Sequence, residues 1–250
     1  MFALTFFLLG LIIGSFLNVV IYRYNTGRTL SGRSGCLSCG KKLHWYELFP
    51  VLSFVIQGGR CRGCRSRVSW QYPLVELITG LLFFVVFLRV GFSPILLPLY
   101  LTMSCLLVVI TVYDLRHKII PDGFVFTFIF LGLIKVLVSG DILLGIIGGV
   151  STSLPLFFLW AISRGKWLGF GDVKLALGVG LILGWPLGLS ALILSFWIGA
   201  VVGLFLIAWG KTQLWRKGKS YTMRSEIPFA PFIILGFWLV FLSSINVLFF

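Results

Sequence analysis

The chain has 250 residues, of which 59% are apolar and only 11% are charged, with a formal net charge of +14. An average soluble domain carries about 25% charged residues, and a soluble chain of this length has no interior large enough for so much apolar surface. The composition therefore excludes an ordinary soluble protein and predicts an all-α polytopic membrane protein. The basic excess is better explained by membrane orientation than by nucleic acid, and no nucleic-acid partner is expected.

Eight apolar stretches predict about eight transmembrane helices. In chain order they cover Met1–Tyr22, Tyr72–Leu88, Pro94–Tyr113, Gly123–Val138, Ile142–Ser163, Asp172–Leu183, Leu187–Trp209 and Pro228–Phe249. The sixth is the shortest and is rich in glycine, which makes it the weakest candidate for a complete crossing. These spans divide the chain into a first helix (residues 1–22), a polar segment (residues 23–71) and a transmembrane bundle (residues 72–250).

The basic residues predict the orientation in the membrane. With eight crossings, four loops fall on one side, and they hold eighteen of the 21 lysines and arginines. These loops are Arg23–Gln71, Asp114–Asp122, Arg164–Gly171 and Gly210–Ile227. By the positive-inside rule this side is the cytoplasm, so both termini face outward. The first span lacks a basic start and a small-residue cleavage site, and we interpret it as a retained helix instead of a signal peptide.

Two cysteine pairs lie in the polar segment, Cys36-x-x-Cys39 and Cys61-x-x-Cys64, with 21 residues between them. This spacing is typical of a tetrathiolate zinc site. A cytoplasmic location keeps thiols reduced, which disfavours disulfides and favours metal, although a thioredoxin-like redox pair is an alternative. Four thiolates leave no open coordination position, so the predicted zinc is structural and helps to fold the segment. The fifth cysteine, Cys105, is expected to pack within a helix.

Carboxylates are rare in this chain, which has only seven. Asp114 directly follows the third predicted span and Asp172 begins the sixth, so alternating crossings bring both to the cytoplasmic face. Two carboxylates that lie close together share one proton. The ionised partner can then activate water while the protonated partner polarises a carbonyl group, which is the chemistry of aspartic proteases. The sequence therefore predicts a catalytic pair.

Each aspartate also has a simpler interpretation. Asp172 could be the N-cap of its helix, and Asp114 could pair with Arg116 or Lys118 at the interface. The glycines at positions 169 and 171 favour a site, because they allow the backbone to approach a substrate strand. Two other carboxylates need an explanation. Asp122 follows a proline and looks like a helix cap, but it is the reserve member of the pair, and Glu76 lies inside the second span, which suggests a pairing or site role.

Several short segments in the chain match the motifs of one family. They are Gly14-Ser-Phe-Leu-Asn-Val-Val20, Gly59-Arg-Cys-Arg-Gly-Cys64, Ser69-Trp-Gln-Tyr-Pro-Leu-Val-Glu76, Ile120-Pro-Asp122, Gly169-Phe-Gly-Asp-Val-Lys-Leu175 and Pro228-Phe-Ala-Pro-Phe232. With the cysteine pairs and Asp114, they follow one another in order over nearly the whole chain. On these motifs the chain resembles the bacterial type IV prepilin peptidases, polytopic aspartic proteases of the Gly-x-Gly-Asp class.

The resemblance implies a substrate and a cleavage site. Such enzymes remove the short basic leader from prepilins and pseudopilins at the cytoplasmic face of the inner membrane, cutting after a glycine. In that family the aspartates that match Asp114 and Asp172 are catalytic. Other residues that we expect to support the site are Gly169, Gly171, Lys174, Glu76 and Asp122.

The resemblance also implies a second activity. Members with a cysteine-bearing cytoplasmic loop usually methylate the new N-terminal amine with S-adenosylmethionine, which would make residues 23–71 the methyltransferase domain. No glycine-rich nucleotide fingerprint marks the methyl-donor site in this sequence. Two positions depart from the family pattern: Ala230 stands where glycine is common, and Leu37 stands where proline often follows the first cysteine. We expect neither residue to touch the predicted aspartate pair, so the peptidase activity should be little affected.

Three alternatives remain open at this point. The chain could be a peptidase that does not methylate, or a proton-coupled transporter with a zinc-stapled loop, since transporters also place carboxylates in helix bundles. It could also be a membrane-anchored zinc module that binds other proteins. The clustering of carboxylates at one membrane face favours a peptidase over a transporter, and a zinc module would leave the paired aspartates unexplained.

Overall fold

The computed structural model describes residues 2–27, 29, 32–212 and 227–248. These residues form nine α-helices and one short 3₁₀ helix, Trp45–Leu48, and the only β-type pairings among them are two isolated bridges. The α-helices are α1 (Phe2–Arg23), α2 (Leu52–Ile56), α3 (Gln71–Val90), α4 (Leu96–His117), α5 (Asp122–Ser139), α6 (Ile142–Ser163), α7 (Phe170–Leu183), α8 (Leu187–Thr212) and α9 (Ala230–Ser243). The predicted all-helical fold is confirmed.

The eight predicted spans each correspond to a long helix, but they do not all have the length of a membrane crossing. Among the described residues, six helices are long and apolar enough to cross: α1, α3, α4, α5, α6 and the apolar part of α8. Helices α7 and α9 have 14 residues each, or about 21 Å at 1.5 Å per residue, against a hydrocarbon core of about 30 Å. The predicted loop 210–227 lies mostly outside the described residues.

The chain divides into two compact units, residues 1–109 and residues 110–250. In the first unit α1 packs along α3 with its glycines against the backbone of the neighbouring helix. A Cβ atom on Gly10 would lie 2.7 Å from the Cα atom of Gly80, and one on Gly14 would lie 2.7 Å from the Cα atom of Glu76. The amide of Asn18 donates to the Tyr72 carbonyl at 3.2 Å. Close backbone contact of this kind is typical of helix pairs in membranes.

In the second unit α7 is the central helix and packs against α5, α6, α8 and α9. Small residues make this possible: Gly180 meets the backbone of Gly148 on α6, and a Cβ atom on Gly178 would lie 2.6 Å from the Phe128 ring on α5. Most of α7 is consequently buried. Asp172 lies in its first turn, so the packing of the whole unit fixes the position of this carboxylate.

Candidate active site

Asp114 is a buried carboxylate in the last turn of α4, and it is only 5% exposed. The sequence predicted that this helix would end at Tyr113, whereas it continues to His117. The backbone N–H of Ala230, the first residue of α9, donates a hydrogen bond to the Asp114 carboxylate. The expectation that position 230 does not touch the pair was therefore wrong, although the contact is made by the backbone and not by the side chain that departs from the family pattern. Among the described residues, Oδ2 of Asp114 has no hydrogen-bond partner. Because Arg116 is exposed, the burial of Asp114 argues against a role as a simple interfacial charge.

Asp172 is the third residue of α7, and it is also buried. The N-cap of this helix is Gly169, so the interpretation of Asp172 as the cap was wrong. Its carboxylate accepts the backbone N–H of Gly169, as an acid at the third position of a capping box does. Its Oδ1 atom has no partner among the described residues. The start of a helix also favours a negative charge through the helix dipole.

The two carboxylates lie close enough for their charges to interact. Each is held by one backbone N–H, and each keeps one buried oxygen without a partner. An unsatisfied buried acceptor costs about 1–3 kcal/mol, and such atoms are rare in proteins unless they bind water, a ligand or a proton. Two neighbouring orphaned oxygens thus have the chemistry needed to hold a water molecule and a polarised carbonyl group between them.

The glycines before and after Phe170 differ in their surroundings. A Cβ atom on Gly171 would lie 2.9 Å from the Cβ atom of Ile120, which leaves no room for a side chain. A Cβ atom on Gly169 would lie 3.5 Å from Oδ2 of Asp172 and 4.0 Å from the backbone nitrogen of Gly171, which are ordinary contacts. Gly171 therefore brings the start of α7 against Ile120, whereas the space beside Gly169 opens toward the catalytic candidate Asp172.

Lys174 and Asp122 form an ion pair that links α7 to α5. The Lys174 ammonium also lies over the rings of Phe126 and Phe170, 5.0 and 5.5 Å from their centroids. Asp122 is the first residue of α5, after the N-cap Pro121, and two thirds of its side chain is exposed. These two residues therefore join the two helices near the protein surface. The carboxylate of Asp122, the reserve member of the predicted pair, is thus already bound to a lysine.

Glu76 belongs to the first unit, where it is buried on α3. Its Oε2 atom accepts the backbone N–H of Val51 at 2.7 Å, and its carboxylate also accepts a hydrogen bond from Ser15. Val51 has a φ angle of +59°, which a β-branched residue adopts only under strain. The expected pairing of Glu76 is present, and its observed effect is to hold the strained turn that precedes α2.

The four paired cysteines form a second candidate site in the first unit. Their Sγ atoms all lie within 4.8 Å of one another, and those of Cys36 and Cys64 are 3.8 Å apart. A tetrahedral zinc with Zn–S bonds of about 2.3 Å requires sulfur–sulfur distances of about 3.8 Å. The cluster therefore fits a zinc ion, as the spacing predicted. The fifth cysteine, Cys105, lies outside this cluster.

The two halves of the cysteine cluster are folded alike. The N–H of Cys36 donates to the Lys41 carbonyl and that of Cys61 to the Ser66 carbonyl, both at 2.9 Å. A β-bridge flanks each half, one between Gly35 and Lys42 and one between Arg60 and Arg67. This repeat was missed in the sequence, although its signal is visible: a basic residue follows the first cysteine of each pair by six positions.

Backbone N–H groups favour thiolates in this cluster. The N–H groups of Cys39 and Ser38 lower the pKa of the Cys36 thiol to about 6. For Cys39, the Lys41 N–H lowers the pKa, but the neighbouring thiols of Cys64 and Cys36 raise it to about 11. Sulfur atoms crowded together in this way cannot all ionise without a cation, so the metal-free cluster holds protons that a zinc ion would displace.

Two family models match the chain. The bacterial peptidase A24 N-terminal domain matches residues 8–90, and the type IV leader peptidase family matches residues 101–204. The first match contains the cysteine cluster and the second contains both buried aspartates. No solved structure matches the chain.

Curated relatives agree with these matches. A protein of Bacillus subtilis named prepilin leader peptidase/N-methyltransferase is 32% identical over 97% of this chain and 94% of its own length. A protein of the same name from Pseudomonas aeruginosa is 30% identical over 96% of this chain and 90% of its own length. One from Myxococcus xanthus is 39% identical over 84% of this chain, and the match covers 65% of that longer protein. The chain therefore belongs to the type IV leader peptidase family.

Proposed function

We propose that this protein cleaves the leader peptide from type IV prepilins and pseudopilins, and that it then methylates the new N-terminal residue with S-adenosylmethionine. The observation that carries the peptidase assignment is the pair of buried aspartates, Asp114 and Asp172, each with one unpartnered oxygen. Both lie within the segment that matches the leader peptidase family. The names of the relatives support both activities.

The two carboxylates would divide the chemistry of hydrolysis. The ionised one accepts a proton from a water molecule, and the oxygen of that water attacks the carbonyl carbon of the scissile bond. The protonated one donates its proton to the carbonyl oxygen, which gives a tetrahedral diol. The C–N bond then breaks: the leaving nitrogen takes the proton held by the first carboxylate, and the diol returns a proton to the second. The backbone N–H groups of Ala230 and Gly169 hold the two carboxylates in place.

We assign the site to the cytoplasmic face of the bacterial inner membrane. Support comes from the lysines and arginines, eighteen of which lie in the four predicted loops on that side. A prepilin carries a basic leader followed by an apolar helix, so its scissile bond lies near the interface when the helix enters the bilayer. Asp114 lies in the last turn of α4, a helix long and apolar enough to cross the membrane, which supports a position for this carboxylate near the same interface.

The cysteine-bearing segment, residues 23–71, is proposed as the methyltransferase domain. A zinc ion held by four thiolates has no open position for a substrate, so its role here is to fold the segment. The methyl donor supplies an activated methyl group to the amine that proteolysis releases. No contact in the described residues locates the donor, and we therefore assign this activity to the segment as a whole.

Mass spectrometry of a prepilin incubated with the purified protein tests both activities. Loss of the leader, followed by the gain of one methyl mass only when S-adenosylmethionine is present, is the expected result. Leader loss without methylation would leave the peptidase and remove the second activity. An intact prepilin, after substrates of several pilus and secretion systems have been tried, would refute the proposal.

A further inference from the structure

The apolar segment Trp45–Ile56 has an outer surface that none of the described residues of the first unit covers. It consists of the 3₁₀ helix Trp45–Leu48, a turn and α2. Trp45 is 74% exposed, Val55 67% and Ile56 65%. The other large apolar side chains that the segment exposes are Tyr46, Leu48, Phe49 and Leu52. Seven exposed large apolar side chains within twelve residues indicate contact with a membrane or a partner.

The only charged side chain of this segment is turned inward. Glu47 has a side chain that is 1% exposed; it accepts the N–H of His44 at 2.9 Å and lies 3.5 Å from the Lys41 ammonium. The N–H of His44, together with Lys41, keeps the pKa of Glu47 below its usual range, so the buried carboxylate stays ionised. The outer surface of the segment therefore carries no negative charge.

The segment is attached to a membrane-spanning helix near its end. The N–H of Val51 donates to Glu76, which lies five residues after the start of α3, about 7.5 Å along the helix axis. Trp70, at the N-cap of α3, is exposed and packs against Phe54 of α2, with ring centroids 5.0 Å apart and the ring planes tilted by 58°. Tryptophan at a helix end is typical of the membrane interface.

The helix to which the segment is attached also exposes large apolar side chains in its first turns, Leu74, Leu77 and Ile78. Interfacial helices bury their apolar side about 5–10 Å into the boundary between headgroups and acyl chains. The distance of about 7.5 Å along α3 from its start to Glu76, which binds Val51, lies in this range. The neighbouring half of the cysteine cluster exposes several arginines that match anionic lipid headgroups. They are Arg60, Arg62, Arg65 and Arg67.

We propose that Trp45–Ile56 is inserted into the interfacial layer of the lipid bilayer and holds the cysteine cluster at the membrane surface. Its occupant is lipid: acyl chains against the apolar side chains and anionic headgroups against the arginines. The hydrogen bond between Glu76 and the strained Val51 fixes the depth at which the segment Trp45–Ile56 is inserted. The proposal depends on the membrane crossings of α1 and α3 and is independent of any catalytic activity.

Depth-dependent quenching of tryptophan emission tests this placement. The whole protein is reconstituted in vesicles that contain brominated phosphatidylcholine and an anionic lipid, and the emission of Trp45 is obtained as the difference between the native protein and Trp45→Phe. We expect this difference to be quenched at least about twofold more by bromines near the headgroups than by bromines at the bilayer centre. Aqueous iodide should quench the emission of Trp45 only weakly.

Two results would overturn the proposal. Quenching of Trp45 by iodide but not by brominated lipid would place the segment in water. Protection from iodide that appears only at a high ratio of protein to lipid would assign the surface to a second copy of the chain.

Charge placed in the apolar surface gives an independent test. Val55→Glu/Ile56→Glu should reduce lipid quenching of Trp45 by at least about half, because a carboxylate is expelled from the acyl region. The matched variant Val55→Leu/Ile56→Leu should keep it. Zinc content confirms that each variant is folded, and unchanged quenching in a folded glutamate variant would refute insertion. If that variant does not fold, the measurement on the native protein still decides the question.

Discussion

The backbone N–H of Ala230 donates a hydrogen bond to the carboxylate of Asp114, so the start of α9 fixes a side chain in the last turn of α4. Gly169 does the same for Asp172. Because both donors are backbone groups, the positions of the carboxylates do not depend on any single side chain. An asparagine oxygen can also accept either N–H, although more weakly than a carboxylate does. Substitution by asparagine therefore separates the geometry of the pair from its acid–base chemistry.

Asp114→Asn and Asp172→Asn should each abolish cleavage while leaving the protein folded. The amide keeps the backbone hydrogen bond but can neither accept a proton from water nor donate one to a carbonyl, and general acid–base catalysis contributes about 10²–10⁴-fold to such reactions. Prepilin cleavage by protein purified in detergent measures the effect. Asp141→Asn, at the start of α6, is the control and should cleave normally. Normal cleavage by either of the first two variants would exclude that residue from the pair.

Asp122→Asn should leave cleavage within a factor of about two to five, since its carboxylate is largely exposed and pairs with Lys174, and an exposed ion pair contributes about 0–1 kcal/mol. A small decrease in the apparent melting temperature is the expected structural effect. Initial rates of leader removal, compared with those of Asp172→Asn, distinguish the two aspartates. Complete loss of cleavage in a normally folded Asp122→Asn protein would return this residue to the catalytic pair.

Much of the fold follows from hydropathy alone, because an apolar span in lipid has to be helical. The boundaries of α6 were predicted correctly, since Asp141 and Arg164 bracket its apolar run. Other features of the helices depend on tertiary contacts, which the sequence does not show. The end of α4 extends a full turn beyond the apolar run and includes Asp114, and α2 is too short to give a periodic signal.

The candidate sites were predictable to different degrees. Cysteine spacing is a local property, and it predicted the cluster that the structure contains. The environment of each carboxylate depends on other helices and could not be read from its own segment. Nothing around Asp114 in the sequence indicates Ala230, which lies more than a hundred residues away. The capping position of Asp172 depended on where α7 begins, and helix ends are uncertain by a few residues in any sequence analysis.

Gly171→Ala should reduce the rate of cleavage about tenfold, and Gly169→Ala should have a smaller effect. The new methyl group at position 171 would lie 2.9 Å from the Cβ atom of Ile120, which is fixed to the backbone and cannot rotate away. Relief of such overpacking costs about 1–3 kcal/mol and would shift the first turn of α7, which carries Asp172. At position 169 the contact is an ordinary 3.5 Å. Steady-state kinetics on one prepilin compare the two variants, and equal rates would show that α7 tolerates the shift.

Cys36→Ser should remove zinc and methylation but preserve leader cleavage. A lost thiolate opens the tetrahedral site, and metal binding contributes about 10–16 kcal/mol of folding free energy in zinc-dependent domains. Metal analysis, limited proteolysis of residues 23–71 and mass spectrometry of the pilin give the three readouts. Cys105→Ser is the matched control, because Cys105 lies outside the cluster, and it should retain all three properties. Loss of cleavage together with zinc would mean that the peptidase needs the cysteine cluster.

Gly180→Ala should destabilise the second unit, whereas Gly203→Ala should be neutral or slightly stabilising. A Cβ atom on Gly180 would overlap the carbonyl oxygen of Gly148 and lie 2.7 Å from Oγ1 of Thr152, so α6 and α7 would have to separate. That separation costs about 1–3 kcal/mol or more. A Cβ atom on Gly203 of α8 would meet nothing within 4 Å, and alanine favours the helix by up to about 1 kcal/mol. The apparent melting temperature in detergent, followed by tryptophan emission, measures both changes. If the apparent melting temperature of Gly180→Ala equals that of the native protein, the crossing of α6 and α7 is loosely packed.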